Sequence, residues 1–173
     1  QDSLRSLNPQ ITVGKQLLEP LLFNLEATHV ERKKRVFETL RKVGLLPEHY
    51  HFYPHMLSSG QQQRVCIARA IVLEPQIIVA DEAFAALDPS IRAQIINLIL
   101  DLQQDMGISF IFVTHSPEIV KHVSDKILIM HRGKMIEFGT TQALINDPQE
   151  SLTATLLQAG NNYKVPLNST TKE

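Results

Sequence analysis

The sequence predicts an α/β protein built on a parallel sheet, with a block of helices standing before its first strand. Three observations predict it. Ile77-Ile78-Val79-Ala80 is a short apolar run that follows Pro75 and ends at two carboxylates, Asp81 and Glu82; uninterrupted apolar runs of this length mark parallel strands covered on both faces. A second such run fills residues 108–114. Between them, Ile91, Ile95, Leu98, Ile99, Leu102 and Met106 fall on one helical stripe, and strand, helix, strand is the repeating unit of a parallel sheet.

Taken in order, residues 13–25 carry Val13, Leu17, Leu18, Leu21, Leu22 and Leu25 at helical spacing, with Pro20 expected to interrupt the helix. Thr28 followed by Glu31 is a capping box that opens a second helix. That helix sets Val36, Leu40 and Val43 on one face and a basic run, residues 32–35, on a face expected to be solvated; Gly44 ends it. Ser58-Ser59-Gly60 is a polar loop before a helix that runs to Leu73, with Val65, Ile67, Ala68, Ile71 and Val72 as its apolar positions. Pro75 stops it. Both strands, 77–80 and 108–114, are expected to be fully buried. Asp88 is placed to cap the helix between them, with Pro89 in its first turn and Gly107 at its end. Ser116-Pro117-Glu118 restarts a helix. Residues 126–131 and 134–138, joined by Arg132-Gly133, read as a β-hairpin. Residues 141–146 and 149–157 read as closing helices, and the chain is polar from Asn161 onward.

Composition narrows the function. A net charge of −1 argues against non-specific nucleic-acid binding, which needs a basic surface. The single cysteine, Cys66, excludes an internal disulfide; set among apolar helical residues, it is expected to be a buried thiol in a reducing compartment. No apolar run approaches the length of a membrane span, so membrane association has to go through a partner.

The chemistry concentrates in residues 57–88. Asp81 and Glu82 sit at a strand's C-terminal end, where open α/β sheets place ligands. Adjacent residues there point different ways. One carboxylate, Asp81, suits Mg²⁺, which takes oxygen ligands and keeps several waters. The other, Glu82, suits a general base that polarises an attacking water. The plainer reading is a strand followed by a solvated acidic turn. Ser58, Ser59 and Gly60 precede a helix, whose free N–H groups favour an anion; an ordinary serine cap is compatible with that. Gln62, Gln63 and Arg64 read as the helix's polar face. Of seven histidines, His29, His49, His51, His55, His122 and His131 read as surface or core residues. His49, His51 and His55 lie close together but lack the spacing of a metal site.

Leu57-Ser58-Ser59-Gly60-Gln61, then Ile77-Ile78-Val79-Ala80-Asp81-Glu82, then Ala86-Leu87-Asp88, resemble the signature motif, Walker B motif and D-loop of ABC transporter ATP-binding subunits. His115, ending Phe112-Val113-Thr114-His115, resembles the family's switch histidine. Gln1-Asp2 with Ser6-Leu7-Asn8-Pro9 resembles the Q-loop of the peptide-transport branch, the oligopeptide/dipeptide and Sap type, as does Tyr53-Pro54-His55 before the signature. The resemblance runs to about Gly160.

This resemblance implies a P-loop NTPase (RecA-like) core divided into a Q-loop at 1–9, a helical subdomain at 10–60 ending at the signature, the C-terminal part of the ATPase core at 61–160, and a flexible tail at 161–173. It implies ATP and Mg²⁺ as ligands, with Gln1 and Asp81 toward the metal, Glu82 and His115 catalytic, and Ser58, Ser59, Gly60 and Gln61 closing the nucleotide site of a partner subunit. Asp88 would couple the two sites. The implied partners are a second ATP-binding subunit, identical or a paralogue, transmembrane permease subunits and, indirectly, a solute-binding protein, at the cytoplasmic face of the inner membrane, with no nucleic acid. No G-x-x-x-x-G-K-[ST] phosphate loop occurs in the sequence; the family carries it before the Q-loop, so the chain is expected to be the C-terminal part of a longer protein, its sheet lacking a central strand. Ser59 stands where the common signature has a second glycine, Met56 where relatives often have glutamate, and Ala83-Phe84 and Ala85 in place of the usual D-loop lead-in. The alternatives are a non-transport ATPase of the same family and a truncated module that docks without an ATP site of its own.

Overall fold

A computed structural model describes residues 6–85 and 87–158. The elements, in order, are α1 (Val13–Asn24), α2 (His29–Lys42), two short 3-10 turns (Pro47–His51 and Pro54–Met56), α3 (Ser59–Ile71), β1 (Ile77–Asp81), α4 (Pro89–Met106), β2 (Ser109–Val113), α5 (Pro117–Val123), β3 (Lys126–His131), β4 (Lys134–Thr140), α6 (Thr141–Asn146) and α7 (Ser151–Gln158). They gather into two compact units, 1–111 and 112–173, whose boundary falls within β2.

In the first unit, α1, α2 and α3 pack together before β1. Val13, Leu17, Leu18 and Leu21 of α1 are buried, as are Val36, Leu40 and Val43 at the end of α2 and Val65, Ala68 and Ile71 of α3. The Thr28 capping box forms in full: Glu31 Oε2 accepts the Thr28 N–H at 2.7 Å and Thr28 Oγ1 accepts the Glu31 N–H at 3.3 Å. Gly44 adopts φ +70°, a left-handed turn that glycine enters without a Cβ penalty.

Four expectations need correction here. Pro20 does not interrupt α1; the helix runs through it, losing one backbone donor while the packed face of three leucines holds the remaining turns. Leu22 lies 55% exposed, off the packed stripe. The basic run is only partly solvated. Arg32 donates to the Leu25 carbonyl at 2.8 Å, and Arg35 donates to the Val72 carbonyl at 2.7 Å while pairing with Glu74 at 3.0 Å. Lys33 lies over the stacked rings of Phe37 and Tyr50. Gln62, Gln63 and Arg64 are not a solvated face either: both glutamines are buried, and Arg64 Nη1 donates to the Val43 carbonyl at 2.6 Å.

Gly14 is the tightest point of this packing. A Cβ there would sit 2.4 Å from the Tyr50 ring, and that ring is stacked on Phe37 with centroids 5.0 Å apart. The ring cannot retreat cheaply. Gly14→Ala is expected to cost about 2 kcal/mol by overpacking, read as a lower urea midpoint, and Tyr50→Leu in the same chain should recover part of it. Equal midpoints for Gly14→Ala and the parent would contradict this packing.

β1 and β2 are hydrogen-bonded neighbours. They start side by side, Ser109 N–H donating to the Gln76 carbonyl at 2.9 Å, so they run in the same direction, with α4 as the crossover between them. Gly107, at φ +65°, ends α4. The strands are not fully buried, contrary to expectation. Burial alternates: Ile77 and Val79 are 59% and 65% exposed, and Ile111 and Val113 are 53% and 51% exposed. An apolar parallel strand needs a layer on each face, and the described residues supply one. Among them the strands form two separate two-stranded sheets, β1–β2 and β3–β4.

The second unit holds the β3–β4 hairpin. His131 pairs with Lys134, and Arg132 (φ +49°) and Gly133 (φ +77°) form a two-residue turn with both φ positive, the conformation that matches strand twist. Ile127, Ile129, Leu144 and Leu157 form the core of this unit. Glu137 Oε1 accepts the Gln149 N–H at 3.0 Å, steadying the turn before α7.

Candidate functional site

The site is built first from the loop before α3. Ser58 has extended backbone and caps the helix reciprocally: its Oγ accepts the Gln61 N–H at 3.3 Å, and Gln61 Oε1 accepts the Ser58 N–H at 2.9 Å. Ser58 and Ser59 are exposed. Two exposed serines therefore stand at a helix start, the end of a helix that favours an anion.

What holds this loop in place comes from residues that the sequence pattern had assigned to a polar face. Gln62 Nε2 donates to the carbonyls of Pro54 (2.8 Å) and Leu57 (3.1 Å), anchoring the chain that leads into the loop. Gln63 Nε2 donates to the Ala83 carbonyl at 3.1 Å, tying α3 to the turn that follows β1. His49, 7% exposed, accepts the Leu46 N–H on Nδ1 at 2.9 Å, and its Nε2 lies 3.4 Å from the Gln61 amide. Gly60 approaches α4 closely; a Cβ there would meet Ile91 at 3.3 Å.

The carboxylate pair lies at the end of β1. Asp81 is exposed and Glu82 half-buried. Glu82 has φ +49°, in the left-handed region that non-glycine residues seldom enter. Such a conformation costs on the order of 1–3 kcal/mol and concentrates where geometry serves chemistry. Here it falls at the residue directly after β1, where the chain leaves the strand. Phe84, 2% exposed, pins the turn, and the Ala85 N–H closes it on the Glu82 carbonyl at 3.2 Å. Ala83, Asp81 and Gln63 border a cavity of about 230 Å³ that extends inward along Cys66, Ile67 and Ile99. Cys66 is half-buried rather than fully buried as expected, and burial pushes its thiol above the ordinary range.

Asp88 occupies the cap position of α4, but its side chain makes no capping bond, so the expected cap is backbone only. His115 belongs to the second unit. It is exposed, one residue beyond Thr114, whose Oγ1 accepts the Ser116 N–H at 3.1 Å. Gln1 and Ala86 lie outside the described residues. Gln63, on the helix that Ser58 caps, bonds to the turn that carries Asp81 and Glu82; His115 stands in the other unit. Gln63 could not be found from the sequence, because its partner is a backbone carbonyl twenty residues away.

No group of three or more metal-ligating side chains occurs among the described residues. Mg²⁺ does not need one. It retains waters and takes a carboxylate beside substrate phosphates, and the exposed Asp81 carboxylate fits that use. No described helix is long and apolar enough to cross a membrane.

Comparison with known proteins adds the following. Residues 1–85 match a family model described as ABC transporter. The chain is 44% identical over 92% of its length to the dipeptide transport ATP-binding protein DppF of Haemophilus influenzae, covering 49% of that protein. It is 46% identical over 91% of its length to the putrescine export system ATP-binding protein SapF of Escherichia coli, covering 59% of it. It spans about half the length of the curated relatives it matches. Among solved structures, cbiO1 from Clostridium perfringens, part of the cbiONQ ABC transporter complex, superposes with a TM-score of 0.75 at 29% identity, over 84% of this chain and 57% of that one. The dimeric bacterial ABC transporter cassette MJ0796 gives 0.66 at 31% identity, over 78% and 59%.

Proposed function

Because the chain belongs to the ABC transporter family of ATP-binding proteins, we propose that the whole protein is the ATP-hydrolysing subunit of a peptide transporter. The observation that carries this is the Gln63–Ala83 bond, which ties the helix capped by Ser58 to the left-handed turn that follows Asp81 at the end of β1.

Each residue then has a task. Glu82 accepts a proton from the attacking water, its carboxylate aimed by the turn. Asp81, with Gln1, would hold a Mg²⁺ ion, which would supply charge neutralisation beside the substrate's phosphates. His115 donates a hydrogen bond to a γ-phosphate oxygen. The exposed Ser58 and Ser59, with the half-buried Gly60, close the nucleotide site of a second ATP-binding subunit rather than their own. Asp88, whose side chain is not spent on capping α4, crosses to that second subunit. The helical subdomain at 10–60 bears on transmembrane permease subunits, at the cytoplasmic face of the membrane, and the permease with its solute-binding protein selects the cargo. That a related cassette is dimeric and another is part of a larger transporter complex supports this assembly.

Reconstitution tests it. The whole subunit with its permease in proteoliposomes should accumulate a labelled dipeptide or oligopeptide only when Mg-ATP is supplied to the subunit's side. A relative named for putrescine export makes labelled putrescine the second cargo to assay. ATP hydrolysis that neither cargo nor permease alters would favour the non-transport ATPase.

A further inference from the structure

Residues 6–11, the end of the expected Q-loop and the turn after it, are fastened to the helices, and the fastening centres on one buried side chain. Gln16, on α1, is 1% exposed. Its Oε1 accepts the Asn8 N–H at 3.0 Å, and its Nε2 donates to the carbonyls of Asn8 (3.1 Å) and Ile11 (3.1 Å). A buried amide that satisfies three backbone groups of one neighbouring loop fixes that loop's position, because moving it would strand polar atoms without partners. Two further ties act nearby. Arg69 Nη1, near the far end of α3, donates to the Ser6 carbonyl at 2.8 Å. Leu7 is 2% exposed, set into the core. Asn8 Oδ1 also accepts the Gln10 N–H at 2.9 Å, closing the loop on itself.

We propose that Gln16, seconded by Arg69, is a positioning residue that makes residues 6–11 one rigid piece with α1 and α3, so that a displacement of this segment carries the helical subdomain and the signature helix with it. This rests on the ATP-driven transport reading above, in which the nucleotide acts on the Q-loop side and the permease on the helical side. The clamp turns a loop, which would absorb motion, into a strut, which transmits it. Gln16 touches neither nucleotide nor cargo; it acts through residues 6–11.

The test uses the whole subunit in its transporter. Gln16→Met keeps the volume and removes all three bonds. It is expected to lower the cargo moved per ATP hydrolysed by at least about fivefold, the lower bound of typical coupling between sites, while hydrolysis itself persists. A purely structural role would lower transport and hydrolysis in parallel with the amount of folded protein, leaving their ratio unchanged, and that result would overturn the proposal. Where Gln16→Met yields no folded subunit, Arg69→Met, which removes one partly exposed bond, carries the same expectation for the ratio. Amide hydrogen exchange gives an independent reading. The Asn8 N–H should be protected in the parent subunit with and without ATP and should lose protection in Gln16→Met. Rapid exchange of that amide in the parent would also overturn the clamp. Failure of the parent complex to move any cargo would instead count against the transport reading, with Asn8 protection still deciding whether the clamp exists.

Discussion

Glu82→Gln in the whole subunit abolishes steady-state ATP hydrolysis, with a fall of about 10²–10⁴-fold, the usual contribution of a positioned general base. ATP binding persists, because the amide keeps the size and position of the carboxylate and Asp81 is untouched. The two-subunit assembly therefore closes on ATP and stays closed, which light scattering would read as a dimer stable for as long as ATP is present. The left-handed backbone at Glu82 sharpens the expectation. The turn is fixed by Phe84 and by the Ala85–Glu82 backbone bond, so the substitution changes the chemistry of the side chain and leaves the backbone turn in place. Hydrolysis within a few-fold of the parent would remove Glu82 as the base.

The second large effect is at His115. His115→Ala should reduce turnover by about 10²–10³-fold, the scale of losing one preorganised donor to a charged oxygen, with little change in thermal stability because the residue is exposed. His51→Ala is the control. His51 is equally exposed and packs edge-on against Tyr50 at 5.0 Å, so its loss leaves turnover unchanged. Equal effects from the two would undo the choice of His115 among the histidines.

The parts of this molecule that were legible in the sequence are those fixed by neighbours within a few residues. The Thr28 capping box, the Ser58 loop, Gly44, Gly107 and the Arg132-Gly133 turn each follow from local geometry, and each appears where the pattern places it. Strand identity was legible as well. Strand burial was not, because Ile77, Val79, Ile111 and Val113 can be covered only by a layer that local pattern cannot supply. The glutamines show the opposite failure. Gln16, Gln62 and Gln63 look like surface residues in any hydropathy pattern, yet each is buried on backbone carbonyls of a separate segment. A polar side chain satisfied by distant backbone leaves no periodic trace. The Asp81-Glu82 pair was visible as composition, whereas the positive φ at Glu82 is a property of the fold.

The central claim is that Ser58, Ser59 and Gly60 complete a nucleotide site belonging to another subunit. A photo-crosslinking ATP analogue reactive at its γ-phosphate, added to the whole protein and followed by peptide mapping, measures this directly. The residue 57–64 peptide should be labelled when the closed dimer of the Glu82→Gln protein is irradiated, and should stay unlabelled when the protein is diluted to monomer before irradiation. Equal labelling of that peptide in the monomer, or none in a dimer that binds the analogue, would contradict it.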